Sequence, residues 1–429
     1  MNEFTGKRLL ILGGATPCCK VVNESKAMGV HTIVTDIVPN APAKLLADET
    51  LPYSVTDYPH IIEWCHRHPV DGVINFCVGL AQMTQLKLSE TFDFPCYGTP
   101  EQYDALTEKD IFKKLCHDNN VDTIRTYSEH DVFNETDFPL FVKPSDSSGS
   151  RGSTICRSKN ELQQAIEMAK KESTNGKVII ETYMEDKQDV TISYLIKDGQ
   201  PILISMGDRY HGLLSDNLEQ QLACTIQPSR YTDMYIKNVN DRVIAMLKAL
   251  GLKNSPVFMQ GFVDGDTVRM YDPAIRFPGN DYELIYQQAT GMSPMRSLIS
   301  YVLGGEVDDY NGNMERSYDL NGLCAIQYII NLGAGKIGSI EGVDEIRRLP
   351  FVVDVKIRHF PGEVMKKTGD VRQRGGEVSM LVKRDVTAIC NAINEVQRLL
   401  RIADENGNNM LVSAFDPQIA VERYATWHA

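Results

Sequence analysis

The segment FPLFVKPSDSSGSRGSTICRS, residues 138–158, joins two short apolar runs through a loop of serines, glycines and other small polar residues. Glycines allow consecutive backbone N–H groups to point at one anion, and serine hydroxyls add further donors. Lys143, at the end of the first run, places a positive charge beside that loop. The pattern favours a phosphate-binding loop, although it is not the Walker form, because the lysine precedes the loop. A tight β-hairpin with a solvated lysine is the alternative that spacing alone leaves open.

Length and composition limit the classes of protein. A chain of 429 residues suggests two or three domains. The formal net charge of −13 argues against a general affinity for nucleic acid or for anionic membranes. The ten cysteines include no C-x-x-C pair and indicate thiols in a reducing cytosol. With no signal-peptide pattern and no apolar stretch near ~20 residues, we expect a cytoplasmic protein without nucleic-acid or membrane partners.

The first section, residues 7–100, alternates apolar strands with helical segments, which predicts a doubly wound parallel sheet. The predicted strands are 8–12, 31–37 and 72–76, and the predicted helices are 17–28, 61–66 and 81–90. The first loop, GGATP, lacks the G-x-G-x-x-G spacing of dinucleotide-binding folds, so Asp36 after the second strand is weak evidence for a ribose ligand. Nicotinamide binding is therefore disfavoured.

The rhythm changes after the helical segment 99–119, where Thr99-Pro100 supplies an N-cap and a proline at the first helical position. This segment is one helix or two. Short strands follow, with hairpin chemistry at 197–200 and 264–266, and only two long helices, 159–172 and 232–249. The pattern predicts an antiparallel α+β domain and then a third section that ends in an amphipathic helix at 388–404. The predicted domains are 1–105, 106–308 and 309–429.

Four segments in this order resemble the ATP-grasp superfamily. They are the strand, Lys143 and Gly/Ser loop, the helix after it, VIIETYMEDKQDVTIS from residue 178, and FMQGFVDGDTVRMYDPAIR from residue 258. The resemblance is strongest to the L-amino-acid ligase and carbamoyl-phosphate-synthase-like branch, where a loop of the form S-S/G-S-R-G follows V-K-P. It covers essentially the whole chain. It implies a pre-ATP-grasp doubly wound parallel sheet, an ATP-grasp domain with two antiparallel-sheet lobes clamping ATP, and a C-terminal α+β section that completes the site.

The resemblance implies where ATP phosphates would bind. Lys109, in the helix before the nucleotide domain, and Lys143 would hold the phosphates. The loop that would close over the β- and γ-phosphates consists of Ser147, Ser148, Gly149, Ser150, Arg151, Gly152 and Ser153. From the residues alone, Lys109 could equally be an exposed charge on its helix.

The resemblance also implies an adenine and ribose site. Glu181 would face the exocyclic amine of adenine, and the backbone of Thr182, Tyr183 and Met184 would read the purine edge. Asp189 takes the place of the acid that binds the ribose hydroxyls. Without the resemblance, Glu181 could be a surface acid at a strand end and Asp189 a turn residue.

The metal site departs from the family pattern. The superfamily typically has an acid on one strand, a second acid about twelve residues later across a hairpin, and an asparagine two further on. This chain has Gln260, Asp272 and Ala274 at those positions. Mg²⁺ prefers hard oxygen ligands, which only Asp272 and the amide oxygen of Gln260 would supply. The departure keeps a degenerate ATP-binding protein without turnover as an alternative.

A few other residues have side chains that could take part in chemistry. Arg276 lies where the family has an arginine against the acyl phosphate, and a plain surface arginine is its alternative. The run 65–68, CHRH, points to different sides of a helix and indicates a solvated surface rather than a metal site. Cys18 and Cys19 have no visible His/Asp partner and read as buried thiols. The run 208–211, DRYH, follows a predicted strand and could contact substrate.

Together these features predict an ATP-dependent ligase that joins a carboxylate to an amine through an acyl phosphate and releases ADP and phosphate. Lys143 and Arg276 would be the catalytic residues, with ATP and Mg²⁺, or Mn²⁺ in its place, as cofactors. The expected partners are small-molecule carboxylates and amines, and a homodimer is left open. Another acyl-phosphate or carboxy-phosphate reaction is the alternative within enzymes, and an ATP-binding regulator is the alternative outside them.

Overall fold

A computed structural model describes residues 4–145, 152–213, 220–278, 282–306, 314–368, 371–412 and 416–418. Its α-helices are α1 Cys19–Ala27, α2 Tyr58–Arg67, α3 Gln82–Phe92, α4 Pro100–Ala105, α5 Lys109–Asp118, α6 Lys159–Glu172, α7 Thr232–Tyr235, α8 Asp241–Leu250, α9 Tyr282–Thr290, α10 Pro294–Gly304, α11 Val343–Arg347 and α12 Val386–Leu399. Its strands are β1 Arg8–Leu12, β2 His31–Thr35, β3 Glu49–Leu51, β4 Gly72–Ile74, β5 Thr126–Tyr127, β6 Leu140–Pro144, β7 Thr154–Cys156, β8 Val178–Thr182, β9 Asp189–Lys197, β10 Gln200–Leu213, β11 Gln220–Gln227, β12 Ser255–Asp264, β13 Thr267–Ala274, β14 Leu323–Asn331, β15 Gly335–Glu341, β16 Val352–Ile357, β17 Val364–Met365, β18 Arg374–Lys383 and β19 Arg401–Asp404.

The first section is a parallel sheet with strand order β3-β2-β1-β4, which confirms the predicted parallel pairing. Alternate residues of β1 enter different cores: Leu9 and Ile11 pack with α1, whereas Leu10 and Leu12 pack with α2 and α3. The sheet is therefore covered on both faces, as a doubly wound sheet must be. The second strand ends at Thr35 rather than at the predicted Ile37, whose side chain is exposed.

The helical segment after the parallel sheet is divided into α4 and α5. The hydroxyl of Thr99 accepts from the backbone N–H of Gln102, and the Gln102 side chain accepts from the N–H of Thr99, so a capping box starts α4. Because Pro100 follows the cap, its missing N–H costs no helical bond. Lys109 is the first residue of α5.

The second sheet is small and antiparallel, with strand order β5-β8-β6-β7. Helix α6 covers one face, where Leu162 and Ile166 pack against Leu140 and Val142. Because side chains alternate along a strand, burial of Val142 in this core turns Lys143 to the other face. Glu181 lies on β8 opposite Phe141 of β6, so it shares that second face.

The third sheet has eight antiparallel strands in the order β13-β12-β9-β10-β11-β14-β18-β16. The predicted hairpins at 197–200 and 264–266 are confirmed, because β9 pairs with β10 and β12 with β13 across those turns. Strands β14, β16 and β18 extend the same sheet into the section predicted to begin at residue 309. The nucleotide section and the C-terminal section therefore share one continuous sheet.

The C-terminal section departs from one prediction. The helix predicted over 388–404 is α12, which ends at Leu399, and Arg401–Asp404 instead forms β19 against β15. Leu400 has φ −69° and ψ 124°, which is an extended conformation that ends the helix. The residues after it form backbone hydrogen bonds with β15 instead of continuing α12. The predicted helix over 232–249 is found as α7, a π-helical turn at Ile236–Asn240 and α8. Across the described ranges, none of the helices has the length and apolar character needed to cross a membrane.

Candidate ATP and phosphate site

A buried carboxylate holds two lysines on the free face of the small sheet. Glu181 is 2% exposed, and its oxygens accept from Lys143 at 2.6 Å and from Lys113 of α5 at 3.0 Å. Burial alone would raise the pKa of Glu181, but the two ammonium groups outweigh it and lower the pKa. The carboxylate is therefore charged, and both lysines are positioned by it.

Lys109 adds a third ammonium group to this place. Its pKa is lowered to about 8, first because the side chain is removed from water and second because Lys143 lies beside it; Asp272 and Glu181 offset part of that effect. We call Lys109, Lys113, Lys143 and Glu181 the lysine cluster. Three cations around one buried carboxylate leave an excess of positive charge, which an anionic ligand would neutralise.

The predicted phosphate loop is described only at its end. Ser147, Ser148, Gly149, Ser150 and Arg151 lie outside the described residues. Gly152 has φ +68°, and a Cβ atom there would lie 2.7 Å from Cβ of Glu172, so this position requires glycine. Ser153 follows it and leads directly into β7.

The predicted adenine contacts lie on the segment after β8. The N–H of Thr182 donates to Arg125 O and the N–H of Tyr183 donates to Pro139 O, each at 3.0 Å. Because these two amides are engaged by the protein, a purine would have to use carbonyl groups or the N–H of Met184 in this segment. Both oxygens of Glu181 already accept from lysines. The contact of Glu181 with the adenine amine stays a prediction.

A second group of charges lies on the large sheet. Arg209 of β10 donates through Nη1 to Asp189 Oδ2 at 2.6 Å and to the hydroxyl of Tyr271 at 2.9 Å. Asp189 also lies 3.0 Å from Nε2 of His211, and its other oxygen accepts from Tyr271 at 3.1 Å. With its amide oxygen turned toward Arg209, Gln260 accepts from Nη1 at 2.5 Å and from Nη2 at 3.2 Å. We call these five residues the arginine cluster.

The arginine cluster is buried but charged. Burial works against the charge of Arg209, yet Asp189, Tyr271 and Asp272 keep its pKa above the ordinary value. Burial, and then Asp189, raise the pKa of Tyr271 far above its usual range, so its hydroxyl stays a donor. Asp189, predicted as the ribose ligand, is 4% exposed and has both oxygens engaged within the protein. Its ribose contact stays a prediction.

Strand alternation divides the run 208–211. Arg209 and His211 point to the face that carries Asp189, whereas Asp208 and Tyr210 point to the opposite side, where Tyr210 joins the apolar core under α12. Asp208 accepts from Ser229 at 2.5 Å, and burial raises its pKa to about 6. Only Arg209 and His211 of this run face the site.

The predicted metal ligands are brought together. Gln260 of β12 lies directly opposite Asp272 of β13, which confirms the strand pairing inferred for 257–276. Ala274 is opposite Phe258 and has no donor atom in its side chain. Asp272 supplies one carboxylate that could hold a divalent ion, whereas the amide oxygen of Gln260, the other predicted ligand, accepts from Arg209. Within the described ranges, no three His, Cys, Asp or Glu side chains form a group that could hold a metal.

Arg276 lies where the large sheet meets the parallel sheet. Its guanidinium donates to Phe277 O at 2.9 Å and lies 5.7 Å from the ring centroid of Phe258. The N–H of Phe277 donates to Phe76 O at 3.2 Å, so this turn is held against the carboxyl end of β4. Residues 279 and 280, predicted to place donors beside Arg276, lie outside the described residues.

The residues that the sequence analysis set aside as structural lie outside the two clusters. Cys65 is on the buried face of α2, the ring of His66 packs on Phe92, and the ring of His68 packs on Trp64. All ten cysteines are free; Cys18 is buried, whereas Cys19 is only half-buried, so the prediction of two buried thiols holds for Cys18 alone. Asp36 accepts from the N–H groups of Gly14 and Val38, each at 2.8 Å.

Two residues of the site were not predicted from the sequence. No motif of the sequence marks Lys113, yet it pairs with Glu181, which is 68 positions away. Arg209 was placed within a run that could contact substrate, but not beside Asp189 and Gln260. Its position two residues from His211 on a strand was a signal that the two share a face.

Comparison with known proteins agrees with this geometry. The family model of the D-ala D-ala ligase C-terminus matches residues 111–258. The formate-dependent phosphoribosylglycinamide formyltransferase of Bacillus velezensis is 25% identical over 198 residues, which are 44% of this chain and 51% of that protein. The chain thus matches about half the length of that relative.

Solved structures share the fold over nearly the whole chain. The L-amino acid ligase from Bacillus licheniformis superposes with a TM-score of 0.74 at 17% identity, covering 94% of this chain and 100% of that one. The biotin carboxylase domain of the Hydrogenobacter thermophilus 2-oxoglutarate carboxylase, solved with MgADP and bicarbonate, has a TM-score of 0.71 at 17% identity and covers 94% and 91%. The superpositions show that the chain has the fold of this ligase and of this biotin carboxylase domain, and its residues 111–258 also match the D-ala D-ala ligase C-terminus model.

Proposed function

We propose that the protein is an ATP-dependent carboxylate–amine ligase. The single observation that carries this proposal is the pairing of Lys113 and Lys143 with buried Glu181, with Nζ of Lys143 lying 5.7 Å from the ring centroid of Tyr271, the residue before Asp272. A site that crowds ammonium groups beside a carboxylate able to hold a metal suits a polyphosphate bound with Mg²⁺ or Mn²⁺. The small sheet and the large sheet are the two lobes that would clamp ATP.

The reaction would proceed in two balanced steps. A carboxylate oxygen of the first substrate attacks the γ-phosphorus of ATP, and the bond from that phosphorus to the bridging oxygen breaks, giving an acyl phosphate and ADP. The nitrogen of the amine then attacks the acyl carbon, and the tetrahedral intermediate expels inorganic phosphate while the nitrogen loses a proton. The second step forms the C–N bond.

The residues of this chain would position and neutralise the reacting groups. Lys143 and Lys109 would bind the phosphates, and Arg276 would pair with the carboxylate that becomes the acyl phosphate. Asp272 would hold Mg²⁺, which would supply neutralising charge to the phosphates, whereas the amide oxygen of Gln260, predicted as a second ligand, accepts from Arg209 instead. No protein side chain acts as a nucleophile.

A screen for ADP release tests this proposal. Purified protein, ATP and Mg²⁺ are incubated with carboxylates and amines singly and in pairs, including amino acids as both partners. Release of ADP that requires a carboxylate and an amine together supports the ligase. The protein would then act on small molecules, and its free cysteines agree with a cytoplasmic location. A homodimer stays a prediction.

One observation favours a second candidate, an ATP-binding regulator without turnover. Two of the three family metal positions hold Gln260 and Ala274, and Gln260 contacts a guanidinium group. Binding of ATP without Mg²⁺, together with no ADP release for any pair in the screen, would support the regulator over the ligase.

A further inference from the structure

The contacts of Arg209 differ from those of a structural ion pair. Nη1 is engaged by Asp189, Tyr271 and Gln260, whereas Nη2 contacts only Gln260, at 3.2 Å, among the residues that the structure describes. The side chain of Arg209 keeps 18% of its surface exposed, while Asp189 keeps 4%. The buried carboxylate thus fixes one side of the guanidinium and leaves donors on the other side for a ligand.

Arg209 lies beside the proposed phosphate site. Gln260 lies opposite Asp272 across the hairpin, and Arg209 contacts Gln260. The ring of Tyr271 links the two clusters, because its hydroxyl accepts from Arg209 and its centroid lies 5.7 Å from Nζ of Lys143. A polyphosphate bound between Lys143 and Asp272 would therefore pass beside Arg209.

We propose that Arg209 contacts the ATP phosphates and supplies a fixed positive charge at the position where the related pattern has a metal-binding acid. The inference rests on the ATP site of the proposed function and goes beyond it. A carboxylate at residue 260 would pair with Arg209 and cancel its charge, whereas the neutral amide of Gln260 orients the guanidinium without neutralising it. Gln260 in place of the acid and Arg209 beside it therefore act together, because the amide oxygen of Gln260 holds the guanidinium in position.

Calorimetric binding of AMPPNP and of AMP, each with Mg²⁺ and with EDTA, tests this inference. Arg209→Met should weaken AMPPNP binding in EDTA by about tenfold or more, because a charge-assisted phosphate contact is lost, and should change AMP binding by less than about twofold. Arg209→Lys should recover part of the loss. The matched control is Arg269→Met. Arg269 lies on the hairpin of β12 and β13, where it pairs with Asp264 at 2.8 Å, and it is not a member of either cluster.

Gln260→Glu gives a second test that keeps Arg209 and its packing. We expect weaker AMPPNP binding in EDTA and a larger gain on adding Mg²⁺ than in the wild type. Unchanged AMPPNP affinity in EDTA for folded Arg209→Met, or for Gln260→Glu when Arg209→Met does not fold, would overturn the proposal and leave Arg209 as a counterion of Asp189. Because neither measurement uses turnover, an inactive protein that binds AMPPNP through Arg209 would disprove the ligase and keep this inference.

Discussion

The lysine cluster and the arginine cluster each have one buried carboxylate, but the first gathers three ammonium groups around it and the second one guanidinium group. In each, one almost fully buried carboxylate, Glu181 or Asp189, fixes cations that come from other elements. The lysine cluster has more ammonium groups than its carboxylate neutralises, and the pKa of Lys109 is lowered first by burial and then by Lys143. In the arginine cluster, burial works against the charge of Arg209, but Asp189, Tyr271 and Asp272 outweigh it and raise the pKa of Arg209.

The difference indicates two tasks. A cation-rich place of flexible lysines is suited to binding phosphates that bring negative charge with them. A fixed guanidinium beside Asp272 is suited to the site where charge moves during phosphoryl transfer, because it needs no rearrangement at that moment. We therefore expect changes in the lysine cluster to weaken nucleotide binding and loss of the Asp272 carboxylate to slow turnover.

The largest effect is expected at Asp272. Asp272→Asn removes the carboxylate that would hold the metal, so turnover should fall by about a hundredfold or more while ATP binding changes by less than about threefold. ADP release and calorimetric ATP binding measure the two quantities. Asp264→Asn, at the turn of the same hairpin, is the control and should leave both near the wild-type values. Full activity in Asp272→Asn would show that the metal site is elsewhere.

A smaller effect is expected at Lys143, and it should appear in binding. Lys143→Ala should weaken ATP binding by about tenfold, or 1.4 kcal/mol, because a charge-assisted phosphate contact is lost. The fold should persist, since Lys113 still pairs with Glu181. Lys114→Ala is a matched control, because Lys114 lies on α5 with 79% of its side chain exposed. Wild-type affinity in a folded Lys143→Ala protein would remove Lys143 from the phosphate site.

Nucleotide selectivity tests the segment between the two clusters. The backbone of Thr182 and Met184, with Glu181, is predicted to match the donor and acceptor pattern of adenine, and guanine would leave groups unpaired at ~1–3 kcal/mol each. ATP should therefore be preferred over GTP by about tenfold or more in calorimetric binding and in ADP or GDP release. Equal use of the two nucleotides would place the purine elsewhere.

The smallest effect is the pH dependence of nucleotide binding. In the ligand-free protein, Lys109 loses its proton as pH rises through about 8, well below its ordinary value of 10.5. ATP affinity should therefore decrease from neutral pH to above pH 8, and ATP binding at that pH should take up protons. Lys109→Met should bind ATP more weakly at neutral pH and lose this pH dependence.

Thermal stability should respond to loss of Lys109 in the opposite direction to ATP binding. Because folding lowers the pKa of Lys109, the charged form is disfavoured in the folded state; the cost is fully present below about pH 8 and is relieved as pH rises toward 10.5. Lys109→Met should therefore unfold at an equal or higher temperature than the wild type at neutral pH. A clear loss of stability would show that Lys109 has a structural role in α5.

Local sequence patterns predicted much of the fold. The Asp264-Gly265-Asp266 turn fixed the register of its hairpin, and that register placed Gln260 opposite Asp272. The alternation of apolar strands with helices located the parallel sheet, and the helical pattern located the 99–119 segment but left open whether it is one helix or two. Prediction was poorest where tertiary pairing decides, as in Arg401–Asp404, which leaves the predicted helix to pair with β15.

The charge partners of the site could not be read from local patterns. Arg209 and Tyr271 are 62 positions apart, and Lys113 and Glu181 are 68 apart, so their contacts depend on how separate elements pack. The resemblance named Glu181 and Asp189 as ligands of ATP, but it did not indicate that each carboxylate is already engaged by cations of this chain. Burial and counterions appear only when the sheets are assembled.

The most direct test of the ligase proposal is the fate of carboxylate oxygen. A carboxylate found active in the ADP-release screen is labelled with ¹⁸O and incubated with ATP, Mg²⁺ and its amine, and the phosphorus products are followed by ³¹P NMR. An acyl-phosphate route predicts ADP and inorganic phosphate that carries one ¹⁸O atom from the carboxylate. Unlabelled phosphate, or AMP with pyrophosphate, would contradict the proposed mechanism.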